Sequence, residues 1–300
     1  MMHKKIVSLM LFLFLIFTFT SCKGECKNYN LKYKLSIDRS YYSVVGVEAA
    51  EDVELDIVVP STHKSLPVKG IANSAFSQNK MLTSIILPES ITAIGMWAFS
   101  DCTNLKKITF SDNITIIGMW AFSRCSSLES IELPNSLVTI YDAIFQYCTS
   151  LKEIKFGENS QLTRIENSFF SHCTSLEKIE IPNNITSIGS TAFQGCTSLK
   201  EIKFEENSQL EEIDSAAFWN CKALEHVELP SSLTRLGNFV FKECINLKTI
   251  IIPESVKIMG DYIFQECSNV TIYCEAESKP SDWNIYWNYY KCPVVWGYKK

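Results

Sequence analysis

One segment recurs along most of the chain: ITSIGSTAFQGCTSLKEIKF, at residues 185–204, is one of nine related units. Aligned on one phenylalanine, the units fall at Phe76, Phe99, Phe122, Phe145, Phe170, Phe193, Phe218, Phe241 and Phe264, at intervals of 23 or 25 residues. A period this short leaves no room for a core inside each unit. The units must therefore stack, each burying its apolar side against the next. The expected fold is a β-rich solenoid of about nine coils over residues 71–273, with one parallel sheet and one short strand per 23–25-residue coil. Composition agrees with a folded chain: 20% charged residues, 46% hydrophobic and eleven glycines fit neither disorder nor a polytopic membrane protein.

The amino end breaks the pattern. Lys4 and Lys5 precede an apolar run over residues 6–17 that ends at Ser21-Cys22, which reads as a signal peptide of residues 1–21, too short to span a membrane as a mature helix. A cysteine after a small residue at that point resembles a bacterial lipoprotein cleavage site, which makes Cys22 the expected lipidation position; a plain secretory signal is the simpler alternative. Losing residues 1–21, with two lysines and no acidic residue, leaves 26 basic against 33 acidic side chains, a formal charge of −7 in place of −5. An exported acidic chain is a poor nucleic-acid binder.

Residues 22–30 read as a tether. Residues 31–70 alternate polar and apolar around an Asp38-Arg39-Ser40 turn and read as a strand-built amino-terminal cap. Residues 274–300 carry Trp283, Tyr286, Trp287, Tyr289, Tyr290, Trp296 and Tyr298, enough aromatic area to close the last coil as a carboxy-terminal cap. Between the caps each unit reads L-x-x-I-x-(L/F), a turn, then I-x-x-I-G-x-x-A-F-x-x-C. Two exposed columns alternate in sign from coil to coil: Lys106, Glu129, Lys152, Glu177, Lys200, Glu225, Lys248, and Glu132, Lys155, Glu180, Lys203, Glu228. Phe110, Phe156 and Phe204 alternate with Leu133, Ile181 and Leu229 in the same way. The repeating unit is thus a pair of coils, and a self-neutralised surface is a weak attractor for a highly charged ligand.

Eight cysteines, from Cys102 to Cys267, stand three residues after the repeat phenylalanine, with Asn79 in that place in the first unit. They read as a ladder of free, inward-facing thiols. Cys274 and Cys292 fall outside it and form a possible disulfide pair. The ladder spacing of 23 to 25 residues is unrelated to zinc-ligand spacing, no metal or cofactor is expected, and no nucleophile elbow, phosphate loop or HExxH is present. Glu129, Glu177 and Glu225, flanked by lysines, are held ionised rather than tuned as acids. The chain reads as a non-enzyme. One surface feature stands out: Gly95-Met96-Trp97 and Gly118-Met119-Trp120 are identical steps in adjacent coils, a candidate apolar binding patch at Met96, Trp97, Met119 and Trp120. The alternative for these four is peripheral packing under a neighbouring loop.

The motif IGxxAFxxCxxLxxIxLPxS resembles the leucine-rich repeats of BspA-like bacterial surface antigens. The match covers residues 71–273, and the lead-in at 58–62 and the tail from Tyr273 to Gly297 also look like that family's end segments. Departures are Asn79 for Cys, Tyr141, Glu166 and Asp214 for Gly, and inserted ENSQ segments at 158–161 and 206–209. The resemblance implies a leucine-rich repeat solenoid at the bacterial cell surface; with the cleavage site at Cys22, the expected setting is an outer-membrane lipoprotein facing the surface and held there only by its lipid. It also implies a protein partner bound in adhesion to host matrix or other cells, and the chain is expected to be a monomer. A passive coat protein, or a glycan binder using cap aromatics such as Trp287, are the competing readings.

Overall fold

The computed structural model describes residues 28–157 and 159–299. Among them the backbone winds into a parallel β-solenoid of about eleven turns without helices. The signal segment, Cys22 and Cys26 lie outside the described residues.

Each coil has three sides. The leading strand is the L-x-x-I-x-(L/F) run: Lys178–Ile181 pairs in parallel with Glu201–Phe204, Ile179 opposite Ile202 and Glu180 opposite Lys203. Period-two alternation sets the faces, so Ile179 and Ile181 are buried while Lys178 and Glu180 are exposed. The second side is a two-residue strand such as Ser187–Ile188, paired with Arg164–Ile165 behind it and Glu212–Ile213 ahead. The sequence pointed to one strand per coil; two residues are too few to display a period, and this second column escaped notice. The third side is the turn around the repeat phenylalanine, where the N–H groups of Trp97, Phe99 and Asp101 donate to the carbonyls of Met119, Ala121 and Ser123 one coil on, at 2.8–3.0 Å. That turn takes left-handed backbone twice per coil, as at Trp97 (φ 53°) and Asp101 (φ 59°).

Inside, the nine repeat phenylalanines, each at most 1% exposed, stack with successive ring centroids 5.1–6.0 Å apart. Burying each such ring stabilises the coil by about 1.5–3 kcal/mol relative to exposure. Beside this stack runs the thiol ladder. Each Sγ donates to the carbonyl of the repeat phenylalanine one coil back, from Cys102 to Phe76 at 3.0 Å through Cys267 to Phe241 at 2.9 Å. The first unit has no such carbonyl behind it, and Asn79 instead accepts from its own turn, from the N–H groups of Met81 and Leu82 at 2.9 and 3.1 Å.

The leading-strand face is not one continuous sheet. It separates after Lys107–Thr109, after Glu153–Lys155 and after Glu201–Phe204. Each gap follows a coil that carries Phe110, Phe156 or Phe204. Leu133, Ile181 and Leu229 go fully inside at the same slot, whereas these rings are only partly buried and the ladder opens behind them. Two of the gaps also hold the ENSQ insertions. Ion pairs respect the same division: Lys152 reaches Glu129 at 3.3 Å, Lys200 reaches Glu177 at 2.9 Å, Lys248 reaches Glu225 at 2.6 Å, and Lys203 meets Glu180. Every one lies within a pair of coils. All are exposed and screened by solvent, so each contributes little to stability.

The amino-terminal end is an antiparallel hairpin, Tyr29–Leu35 with Tyr42–Ala49, whose second strand adds in parallel to Leu66–Ile71. The strand takes in Tyr29 and Asn30, two residues the sequence reading left in the tether, and the Tyr29 hydroxyl accepts from the Val58 N–H at 3.0 Å. At the hairpin tip Asp38 accepts from the Ser36 and Ser40 hydroxyls, which hold its carboxyl at about 2. At the far end Trp283 and Trp287 are 2% and 5% exposed, and the Trp283 ring N–H donates to Val256 at 3.1 Å. The disulfide expectation fails here. Cys274 and Cys292 are both free and buried. The parallel register sets Ile272 against Val294 and Tyr273 against Val295, leaving the two cysteines four residues out of step, about 13 Å along the strands and beyond disulfide reach.

Candidate functional site

Met96, Trp97, Met119 and Trp120 lie where the two-residue strands of adjacent coils run into the phenylalanine turn. The position two before the repeat phenylalanine is left-handed in all nine coils, and elsewhere holds Ser74, Ala143, Ser168, Thr191, Ala216, Phe239 and Tyr262. Small residues fill most of it, and a bulky side chain is disfavoured in that region of backbone space. The backbone therefore does not ask for tryptophan. The indoles of Trp97 and Trp120 nonetheless stack in parallel, centroids 5.2 Å apart and planes 8° off, with 41% of Trp97 exposed. They are not tucked under a loop.

The methionines depart from a structural role too. One position before the tryptophan column, Asn73, Asp142, Asn167, Ser215 and Asn238 each accept, through a side-chain oxygen, the backbone N–H of the equivalent residue one coil on, at 2.8–3.2 Å. Met96 and Met119 cannot do this. Instead both line a groove of about 630 Å³ on the face of the two-residue strands. Its floor is Gly70, Ala93, Gly95 and Gly118, with Tyr41 and Lys69 at one end and Ile116 and Tyr141 at the other. The glycines are required: a Cβ on Gly95 would stand 2.5 Å from the Asn73 nitrogen, and one on Gly118 2.6 Å from that of Met96. Sequence reading found the four Met and Trp residues because their step is duplicated. It missed the rest of the groove, whose residues come from the amino-terminal hairpin and four separate coils.

Other polar features of the sequence have structural work. The His172 imidazole stacks on Tyr147 at 4.6 Å, with the Arg124 guanidinium 5.1 Å beyond, and covers Gly195, whose absent side chain leaves it room. Burial pushes the ladder thiols up, Cys102, Cys148, Cys196 and Cys267 to about 12, which removes their nucleophilic form at neutral pH. The bond from Lys200 holds the Glu177 carboxyl below its ordinary value, and Lys248 does the same for Glu225. Among the described residues no three His, Cys, Asp or Glu side chains gather to hold a metal ion. Trp287 closes the core, so it is not a platform for a sugar; Tyr286, Tyr289 and Tyr290 are the exposed aromatics of that cap.

The BspA type leucine rich repeat region matches this chain in six copies, over residues 69–172 and 163–288. The chain belongs to that family. Family members are bacterial surface proteins, consistent with protein–protein interaction, and the solenoid is typically a binding scaffold rather than an enzyme. No curated protein matches the sequence. A leucine-rich repeat protein from Bacteroides ovatus is similar in structure, with a TM-score of 0.62 and 25% identity over 81% of this chain and 69% of that one. The Treponema pallidum (T. pallidum) leucine rich repeat protein gives a TM-score of 0.51 and 28% identity over 75% of this chain and 90% of that one. The pneumococcal vaccine antigen PcpA shares the fold at 20% identity, with a TM-score of 0.53 over 83% and 87% of the two chains. Among the described residues no helix is long and apolar enough to cross a membrane.

Proposed function

We propose that the protein is an outer-membrane lipoprotein, anchored through Cys22, that binds a protein partner in adhesion to host matrix or other cells through Met96, Trp97, Met119 and Trp120. The observation that carries this reading is the exposed Trp97–Trp120 stack, built on left-handed positions that most other coils give to small residues. Indoles fixed in this way contribute apolar contact area at little further cost in conformational entropy, which is what makes tryptophan frequent among interface residues that dominate affinity. The paired charges of the leading-strand face leave the apolar patch as the better source of specificity.

Replacing both residues, Trp97→Ala with Trp120→Ala, tests it. Attachment of the mature protein to its partner should weaken about 30-fold or more, the equivalent of 2 kcal/mol. Melting should move little, because neither ring belongs to the phenylalanine core. Undiminished attachment would transfer the function to another face, and an absence of any attachment by the parent protein would favour a passive coat.

A further inference from the structure

The groove beside the tryptophans departs from the repeat in three columns within the same few coils. Its floor column runs Ser43, Gly70, Ala93, Ile116, Thr139 in strand register, whereas the equivalent positions further along are Arg164, Ser187, Glu212, Arg235 and Ile258. Met96 and Met119 replace polar side chains that tie coil to coil. Tyr141 stands where most coils have glycine, is 48% exposed, and closes one end. Small residues on the floor, methionines in place of polar side chains and a tyrosine in place of glycine together leave a trough with a backbone floor, a thioether wall and an aromatic end. One charged residue, Lys69, lines it. Lys69 shares its column with Thr92, Thr115, Thr186 and Thr234, whose hydroxyls bond the carbonyl one coil back, and with Val138, Glu211 and Lys257. Its ammonium lies 5.7 Å over the Tyr41 ring, in no ion pair among the described residues.

We infer that this groove receives an extended apolar segment of the protein partner, carrying one acidic residue that meets Lys69. The inference rests on the proposed adhesive function, since Met96 and Met119 belong to both surfaces. Charge complementarity fixes the acidic residue, because the groove offers a single cation and no anion. Length fits a peptide: four inter-strand steps separate the Ser43 and Thr139 rows, about 19 Å, which spans about five or six extended residues. The apolar side chains would lie against Ala93, Ile116 and the two thioethers, and the acidic residue at the Tyr41 end.

The test is selection of displayed random heptapeptides on the full mature protein, on Lys69→Glu and on Ala93→Arg. Ala93→Arg places in the groove the residue that Arg164 and Arg235 carry at the same position, so the fold accommodates it, which unchanged melting verifies. Enriched peptides should combine two or more aliphatic or aromatic residues with one Asp or Glu. Lys69→Glu should turn the preference to Lys or Arg, and Ala93→Arg should abolish enrichment. No enrichment, enrichment indifferent to both substitutions, or saturable binding of dodecanoate in the absence of any peptide would overturn the assignment. The Trp97→Ala, Trp120→Ala protein should keep its peptide selection while losing partner attachment. Loss of attachment in that variant but not in Ala93→Arg would leave the adhesive reading standing and remove the groove from it.

Discussion

At the scale of single residues, the repeat tolerates change wherever a side chain has somewhere to go and resists it where coils touch backbone to backbone. Gly237 is of the second kind, since a Cβ there would stand 2.5 Å from the Ser215 nitrogen and 2.8 Å from the Asp214 carbonyl carbon. Gly237→Ala should cost about 1–3 kcal/mol in a denaturant titration, as overpacking does. Gly46→Ala is the counterpart: its nearest neighbour would be the Ala75 carbonyl oxygen at 3.5 Å, and its backbone is not left-handed, so it should be neutral or gain up to about 1 kcal/mol. Glu166 and Asp214 occupy the glycine position in the two coils that follow 25-residue intervals, where the insertions precede them. The same reasoning separates Phe99 from Trp97 only two residues away: one ring fills the core, the other faces out from a strained turn.

Among the elements, the thiol ladder makes a prediction about pH. Eight buried thiols are raised above their ordinary value near 9, four of them to about 12, because burial disfavours the thiolate. Their contribution to stability is complete below the unfolded value and is lost as pH rises from about 9 towards 12, since the unfolded chain then releases protons that the folded one retains. Melting temperature should fall over that range, and less steeply in Cys125→Ala with Cys173→Ala. An equal slope in the variant would remove the ladder from the alkaline transition. In the native state at pH 8, iodoacetamide should leave these eight cysteines unlabelled, as peptide mass mapping would reveal. This ladder was legible in the sequence, because Asn79 and cysteine interchange only in a turn that uses either side chain as a hydrogen-bonding group. The duplicated Gly-Met-Trp step likewise exposed half of the candidate site. Most of its other half was not legible: Lys69, Ala93 and Ile116 are brought together by the pairing of strands from successive coils, which nothing local marks, while Tyr141 shows only as a departure from the glycine column. The disulfide expectation failed for a related reason, since the register of the cap strands is set by contacts that no spacing between Cys274 and Cys292 reveals.

Across the whole molecule, charge alternation, the phenylalanine gaps and the ion pairs agree on a two-coil unit of 48 residues, as from Phe122 to Phe170. Deleting one full unit, residues 171–218, keeps every alternation. Deleting one coil, residues 171–193, brings Lys152 next to Lys200, Lys155 next to Lys203 and Phe156 next to Phe204. The one-coil deletion should therefore gain melting temperature as salt is raised to about 1 M, where screening acts within about 3 Å, relative to the two-coil deletion. Identical salt responses would mean that the charge columns play no part in assembly. What such a rod is for depends on the apolar face at Trp97 and Trp120. The most direct measurement is binding of the full mature protein to a panel of matrix proteins, glycans and bacterial cells at low and high salt, with the Trp97→Ala, Trp120→Ala protein alongside. Saturable, salt-resistant binding to a protein component that falls in the double variant is the predicted result. Saturable binding that collapses with salt, or is untouched by the loss of both indoles, would contradict it.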